Sequence, residues 1–222
     1  ATQKANLCQV NQSLQATGAL KSCEDAIDSL TKLDDAASYQ AHIATSYYNA
    51  GFSAQREERY KKALQNFEHA AAGFLKISPP DTLRSADAQM RMGIIYSVVL
   101  DGEENAIRAF ERGLDVLGAS VSSEVEKAMK AKLYQQLVQE LVEQKRWKEA
   151  ITRGGELVAS EELSGRHQEL AYTHNNLAMA YLKDGQRDQA KASLTAGIRE
   201  AKAAGNEKEL ITMMQKNLKS LK

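Results

Sequence analysis

Histidines are the residues of this chain best suited by type to bind a metal ion or to transfer protons. There are four of them, His42, His69, His167 and His174. His167 and His174 are seven residues apart and would share one helix face, but a metal site needs more ligands and only Glu169 is close in sequence. We therefore expect no metal site and interpret His167 and His174 as two partly exposed polar residues.

Paired acidic residues are the other groups that could act as general acids or bases. They occupy positions 57–58, 103–104 and 161–162, where turns or helix starts are predicted. Acidic residues there complement the helix dipole, which accounts for them without catalysis. No His-Glu-x-x-His, phosphate-binding glycine loop, Gly-x-Ser-x-Gly or Cys-x-x-Cys motif occurs. We expect no catalytic residues and no cofactor, so an enzyme or small-molecule sensor is the least favoured class.

The elements that position these residues are predicted to be helices. The chain has 222 residues, 43% of them hydrophobic and 26% charged, and its two prolines, Pro79 and Pro80, are adjacent. Proline disrupts helices, whereas the abundant Ala, Leu, Glu, Lys and Gln favour them. The formal net charge of zero argues against nucleic acid as a partner. No apolar run approaches the roughly 20 residues that membrane insertion needs.

A repeated pattern organises the helices. Five short amphipathic segments each carry a small anchor residue, in most cases with a large apolar residue four positions later. The anchors are Ala26, Ala63, Ala106, Ala150 and Ala190, separated by 37, 43, 44 and 40 residues. Such regular spacing, with one helical hairpin per period, is typical of a solenoid.

The residues ahead of the anchors complete the pattern. The last unit has Leu177-Ala178, Tyr181, Asp184-Gly185 and Ala190; the third has Met92-Gly93, Tyr96, Asp101-Gly102, Ala106 and Phe110. This resembles the tetratricopeptide repeat (TPR) family, whose pattern is Leu-Gly/Ala-x-x-Tyr, a turn and Ala-x-x-x-Phe. The resemblance implies an all-α, right-handed superhelical solenoid of five helical hairpins plus a C-terminal capping helix. In it the small residues let paired helices approach, and the tyrosine fills the space between them.

Some units depart from the family pattern. The family period is about 34 residues, and every spacing here is longer, which predicts longer helices. The second unit is predicted to have a long connection from Ala50 through Arg59. The fourth has Leu141 in place of the tyrosine and Gly154 in place of a large apolar residue, and the first has Cys8 in the small position.

We predict one domain, residues 1–222, because short turns join all hairpins and no long linker occurs. Its units are predicted at about 3–33, 36–77, 81–117, 122–160 and 166–204, with the capping helix at about 207–221. In that helix Leu210, Ile211, Met214 and Leu218 form an apolar stripe that can close the core.

Cys8 and Cys23 lie on opposite arms of the first predicted hairpin. A disulfide between them would staple the end of the solenoid and imply an oxidising compartment. Alternatively, both are small buried apolar residues, as cysteines often are, and Cys8 fills a position that favours a small side chain. The sequence leaves both alternatives open.

The resemblance also implies that the first helix of each hairpin lines a concave groove. The groove positions it nominates are His42, Thr45 and Tyr48; Met90, Arg91, Ile94 and Ser97; Lys132, Gln135, Gln136 and Gln139; and Tyr172, Asn175, Asn176, Met179 and Lys183. The amides in this set can donate and accept hydrogen bonds at once, which suits an extended peptide backbone.

We therefore expect a protein–protein interaction scaffold or adaptor that binds an extended or helical segment of a partner protein in its concave groove. The alternative is a structural assembly subunit or homo-oligomer joined through the outer face or the terminal helix. No leader is visible and the chain begins at Ala1. The expected location is the cytoplasm by default, with a periplasmic or organellar location as the alternative.

Overall fold

A computed structural model describes residues 1–100, 102–119, 121–160, 163, 165–205 and 207–221. Within these residues the regular secondary structure is helical, with no β-strand. They form two compact units, Ala1–Leu117 and Gly118–Lys222. The prediction of a single domain over residues 1–222 stays a prediction.

The first unit consists of three consecutive helical hairpins. Their helices are α1 (Thr2–Ser13), α2 (Ala19–Thr31), α3 (Gln40–Arg56), α4 (Tyr60–Leu75), α5 (Thr82–Val99) and α6 (Glu103–Leu117), with a short 3-10 helix (Ala36–Tyr39) ahead of α3. The first and third hairpins lie within two residues of the predicted units 3–33 and 81–117. Helix α5 begins directly after the two prolines, where the side chain of Asp81 accepts a hydrogen bond from the backbone N–H of Arg84 at 3.0 Å.

Small residues on the first helix of a hairpin meet aromatic rings on the second. Gly51 of α3 lies against Phe67 of α4, and Gly93 of α5 lies against Phe110 of α6. Phe67 is fully buried and Phe110 is 1% exposed. The two hairpins therefore use one packing device, in which the missing Cβ leaves room for a ring.

The second hairpin differs from its prediction in the length of its first helix. The long connection predicted from Ala50 through Arg59 is wrong, because α3 continues as a helix to Arg56 and the chain turns within residues 57–59. Glu58 takes the left-handed backbone conformation of this turn, with φ of 57°. The extra turns of helix carry Gly51 to the ring of Phe67, twelve residues ahead of the anchor Ala63, the same spacing as Ala178 to Ala190.

The second unit has two hairpins and a final helix. Its helices are α7 (Glu124–Glu143), α8 (Trp147–Ala159), α9 (His167–Lys183), α10 (Arg187–Ala204) and α11 (Lys208–Ser220). A reciprocal pair of hydrogen bonds between Ser123 and Glu126 caps the start of α7. Leu210 and Met214 of α11 are buried against Leu194 and Ala201 of α10, as the predicted capping stripe requires.

Gly154, which departs from the family pattern, has a steric explanation. A Cβ at this position on α8 would lie 2.7 Å from Cδ2 of Leu177 on α9. Leu177 is 2% exposed, so the neighbouring hairpin supplies the large apolar group that the sequence pattern lacks at position 154.

Cys8 and Cys23 face each other where α1 packs on α2. Both side chains are fully buried, their Cα atoms are 4.5 Å apart, and the structure joins them as a disulfide. None of the described helices has the length and apolarity that crossing a membrane would require.

Candidate functional site

Side chains on α3 and α5 join these two first helices at regular levels. An Arg84 nitrogen donates a hydrogen bond to Thr45 Oγ1 at 3.1 Å, the Tyr48 hydroxyl donates to the Asp87 carboxylate, and the Arg91 guanidinium lies 4.9 Å from the Phe52 ring centroid. The sequence offset is the same in all three pairs. Helices α3 and α5 therefore run parallel and in register, and these contacts fill the space between them up to the level of Phe52.

An aromatic cluster supports the Tyr48 contact from below. The ring of Tyr48 meets Phe52, Phe67 and Phe74 edge to face, with centroids 5.0, 5.9 and 5.9 Å away. Burial of Tyr48, reinforced by the charge of Asp87, raises the pKa of its hydroxyl far above the usual range. Tyr48 therefore stays protonated at neutral pH and serves as the hydrogen-bond donor to Asp87.

The space between α3 and α5 opens beyond Phe52. A cavity of about 390 Å³ lies there, lined by Phe52, Gln55, Arg56, Tyr60, Arg91, Ile94, Ile95, Val98 and Val99. Its outer end is apolar, with Val98 75% exposed and Val99 38% exposed. Large aliphatic side chains left open to water beside a cavity are characteristic of ligand-binding or partner-binding sites.

Positive charge and unused hydrogen-bonding groups lie beside this apolar surface. None of the described lining residues is acidic, whereas Arg56 and Arg91 are both cationic. Arg56 is exposed and makes no ion pair with a described residue. Nε of Arg91 lies 3.7 Å from the Asp87 carboxylate, and neither this atom nor Oε1 of Gln55 has a hydrogen-bond partner among the described residues, although both are buried.

Of the groove positions predicted from the sequence in the first unit, some line the cavity and others do not. Arg91 and Ile94 line the cavity, whereas Tyr48 is taken up by its contact with Asp87. His42 is exposed on α3 near Tyr39, with ring centroids 6.2 Å apart. Thr45 is bonded to Arg84, Met90 is buried at 7% exposure, and Ser97 is partly exposed; none of these three lines the cavity.

Sequence reasoning missed the cavity residues of α3, namely Phe52, Gln55 and Arg56. It placed them in a loop because it aligned the second unit about two helical turns too early. Gly51, at the same distance from its anchor alanine as Ala178, was the signal that would have found them.

In the second unit α7 packs against α9, and these helices carry the other nominated residues. Lys132, Gln139, Met179 and Lys183 are exposed, and Gln135, Gln136, Tyr172, Asn175 and Asn176 are partly exposed. Two of the polar groups are already engaged. Gln139 Nε2 donates to Glu143 at 2.9 Å, and the Tyr172 hydroxyl donates to Glu207 at 3.0 Å.

The central amides of this face are available. Gln135, Gln136, Asn175 and Asn176 make no side-chain hydrogen bond to any residue in the described part of the chain. Asn175 also lines a smaller cavity of about 180 Å³, which extends past Met179 to Asn217 on α11. These amides can donate and accept hydrogen bonds with a bound backbone.

His167 contacts an acidic side chain of α10. His167 Nδ1 lies 2.8 Å from Glu200, which also accepts from Arg199. Burial works against ionisation of Glu200, but these two hydrogen bonds together outweigh it and lower the pKa of its carboxyl. Burial also lowers the pKa of His174. In the described residues no group of three His, Cys, Asp or Glu side chains could hold a metal ion.

Successive helical hairpins, with small residues meeting large ones across each crossing, define a TPR-like α-helical repeat fold. Among solved structures this chain is similar to the apo form of RapI, with a TM-score of 0.67 at 12% identity over 99% of this chain and 70% of RapI. This likeness establishes the fold alone.

Two further structures match with lower scores. A TPR repeats protein from Bacteroides fragilis has a TM-score of 0.46 at 13% identity, covering 100% of this chain and 98% of its own. A kinesin light chain with TPR-like repeats from Podosopora anserina has a TM-score of 0.46 at 17% identity, covering 92% and 96%. No family model and no curated protein matches the sequence.

Proposed function

We propose that this protein is an interaction module that binds an extended or helical segment of a partner protein along the first helices of its hairpins. The observation that carries the proposal is the cavity between α3 and α5, where apolar side chains and arginines are left open together. Clefts of this composition suit a peptide, because apolar side chains supply affinity and a few polar groups fix orientation.

The amide-lined face of α7 and α9 supports the same function in the second unit. Gln136 and Asn176 are partly exposed and unbonded to the described residues, so a bound backbone would gain hydrogen bonds without breaking existing ones. The described cavity at this face, of about 180 Å³, is smaller than the one between α3 and α5, so we assign the face to holding the backbone of a partner rather than to anchoring its side chains.

The test is capture of binding partners from native extract, followed by affinity measurement on each purified partner. Wild type is compared with a Gln136→Ala/Asn176→Ala variant and with an Arg56→Gln variant. Loss of about 1 kcal/mol per amide is expected for a groove-bound segment. A control variant, Gln65→Ala/Gln189→Ala, removes two exposed amides from second helices and should bind as wild type does. Equal binding by all four proteins would move the site off the first helices.

A second candidate function is self-assembly, favoured by an exposed apolar stripe at α1. Leu7, Val10 and Leu14 are 53%, 50% and 73% exposed, at a spacing that places them on one helix face. In the terminal helix, by contrast, Met214 and Leu221 are buried and only Met213, at 44%, is open among these three. Sedimentation velocity of wild type and a Leu7→Ser/Leu14→Ser variant tests this. A monomer at high concentration in both would remove the candidate.

A further inference from the structure

The cavity between α3 and α5 has an order along its length. The register of the two helices sets Arg91 level with Phe52 and, one helical turn further, Arg56 level with Ile95. Val98 and Val99 follow towards the end of α5. The cavity therefore begins with cationic groups at the closed end and becomes aliphatic at the open end.

The length of the cavity limits what it holds. Its α5 side runs from Arg91 to Val99, a rise of about 12 Å along one helix. An extended chain advances roughly 3.3 Å per residue, so about four residues of a bound segment fit alongside.

The charge of the cavity lining indicates which types of residue a bound segment would carry. Arg56 is exposed and unpaired with the described residues, and Arg91 shares Asp87 with the Tyr48 hydroxyl at a distance too long for a hydrogen bond. Glu57, which follows Arg56 in the sequence, has a carboxylate oxygen 3.6 Å from a guanidinium nitrogen of Arg59. The described lining of the cavity contains no carboxylate. The guanidinium groups of Arg56 and Arg91 can therefore still donate hydrogen bonds to the two oxygens of an anionic group.

We propose that this cavity binds an internal segment of a partner protein in which an acidic side chain lies within about three residues of a large aliphatic one. The carboxylate lies against Arg56 and Arg91, and the aliphatic side chain packs on Ile94, Val98 and Phe52. Gln55 Oε1, buried without a partner, accepts a backbone N–H of the segment. This inference rests on the proposed function and names the partner chemistry at one of its sites.

The test is selection of binding segments by the full-length protein from two random-peptide libraries. One library displays each peptide internally, between flexible linkers, and the other displays it with a free C-terminus. Enriched peptides from the first are synthesised with acetylated and amidated ends and measured by fluorescence anisotropy. The expected outcome is enrichment of segments that combine Asp or Glu with Leu, Ile, Val or Phe, and binding that weakens at higher salt.

Variants then assign the site. Arg56→Gln should weaken binding of such a peptide about tenfold, the loss of one charge-assisted hydrogen bond. Arg112→Gln makes the same change of charge on the exposed surface of α6, and should stay within about twofold of wild type. Replacing the acid of the peptide by its amide should reproduce the Arg56→Gln loss.

Several outcomes would overturn the inference. These are enriched segments without an acid, equal binding by Arg56→Gln and wild type, or enrichment from the free C-terminal library alone, which would mean recognition of a terminal carboxylate. If peptides bind and respond to Gln136→Ala/Asn176→Ala but not to Arg56→Gln, the proposed function stands and this inference fails. If neither library is enriched, neither the cavity nor the amide face is a peptide site.

Discussion

Gly51 of α3 lies so close to Phe67 of α4 that a Cβ at position 51 would come within 2.7 Å of the ring carbons Cδ1 and Cε1. This contact sets how closely the two helices of the second hairpin approach, and α3 also carries Phe52 and Gln55 of the cavity.

We expect Gly51→Ala to destabilise the protein by about 1–3 kcal/mol, because the buried ring of Phe67 has no free space into which to move. Gly155→Ala is the matched control. Its added Cβ meets nothing within 4 Å on α8, so the better helix propensity of alanine should stabilise by about 0.5–1 kcal/mol. Urea unfolding of both variants measures the difference. Equal stability of Gly51→Ala and wild type would contradict the packing described here.

The hydrogen bond between Tyr48 and Asp87 gives a second prediction. Tyr48→Phe leaves a nearly buried carboxylate without its closest donor, so a loss of about 1–3 kcal/mol of unfolding free energy is expected. Tyr134→Phe removes a longer bond of 3.3 Å to Glu156 near solvent and should change stability by less than about 0.5 kcal/mol.

An alkaline titration followed by tyrosinate absorbance gives an independent measurement on the same residue. Burial raises the pKa of Tyr48 far above its usual range. Burial also raises the pKa of Tyr134, and the hydrogen bond to Glu207 raises that of Tyr172, so Tyr48 should be the last tyrosine of the wild type to ionise. If the last titration step is missing from the Tyr48→Phe variant, that step belongs to Tyr48. A wild type whose tyrosines all titrate together would contradict the burial of Tyr48.

The pairing of Cys8 with Cys23 is testable in the native protein. The two cysteines close a loop with a sequence separation of 15, so reduction should lower the free energy of unfolding by about 3 kcal/mol if the loop-closure account holds. Mass spectrometry after alkylation, with and without reductant, counts free thiols. A Cys8→Ala/Cys23→Ala variant should be insensitive to reductant. Two alkylated cysteines in unreduced protein would leave both residues as small buried groups.

We expect the folded protein to lose stability in acid, where the carboxyl of Glu200 becomes protonated. Its folded pKa is lowered by His167 and Arg199 acting against burial, so the unfolded chain binds a proton more readily than the folded one does. The stabilisation is therefore complete above the unfolded pKa of about 4.3 and declines as the pH falls through the folded value. Glu200→Gln should flatten this part of the profile of thermal stability against pH. Glu209→Gln, at an exposed position of α11, is the control and should keep the wild-type slope.

The sequence predicted the helices well because their signals are local. The anchor alanines, the apolar stripes and the breaks at Pro79-Pro80 and Gly205 each act within a turn or two of helix. Helices α2, α6, α8 and α10 end within two residues of the predicted ends of their units. The one clear error, the loop predicted from Ala50, arose where a repeat was aligned on the wrong small residue.

The candidate site depended on contacts that no single helix encodes. Tyr48 and Arg91 were both predicted as groove residues. In the tertiary structure Tyr48 is hydrogen-bonded to Asp87, whereas Arg91 lines a cavity. That difference depends on side chains from α3, α4 and α5 meeting in three dimensions.

By itself, then, the sequence determined an all-helical repeat of hairpins, because the spacing of apolar residues and the residues that end helices can be recognised within short stretches of the chain. Only the tertiary structure decided which small residue meets which ring, that Cys8 faces Cys23, and where the space between first helices stays open. The physical reason is that close packing is a property of pairs of surfaces, and the register between two helices follows from all the side chains they share.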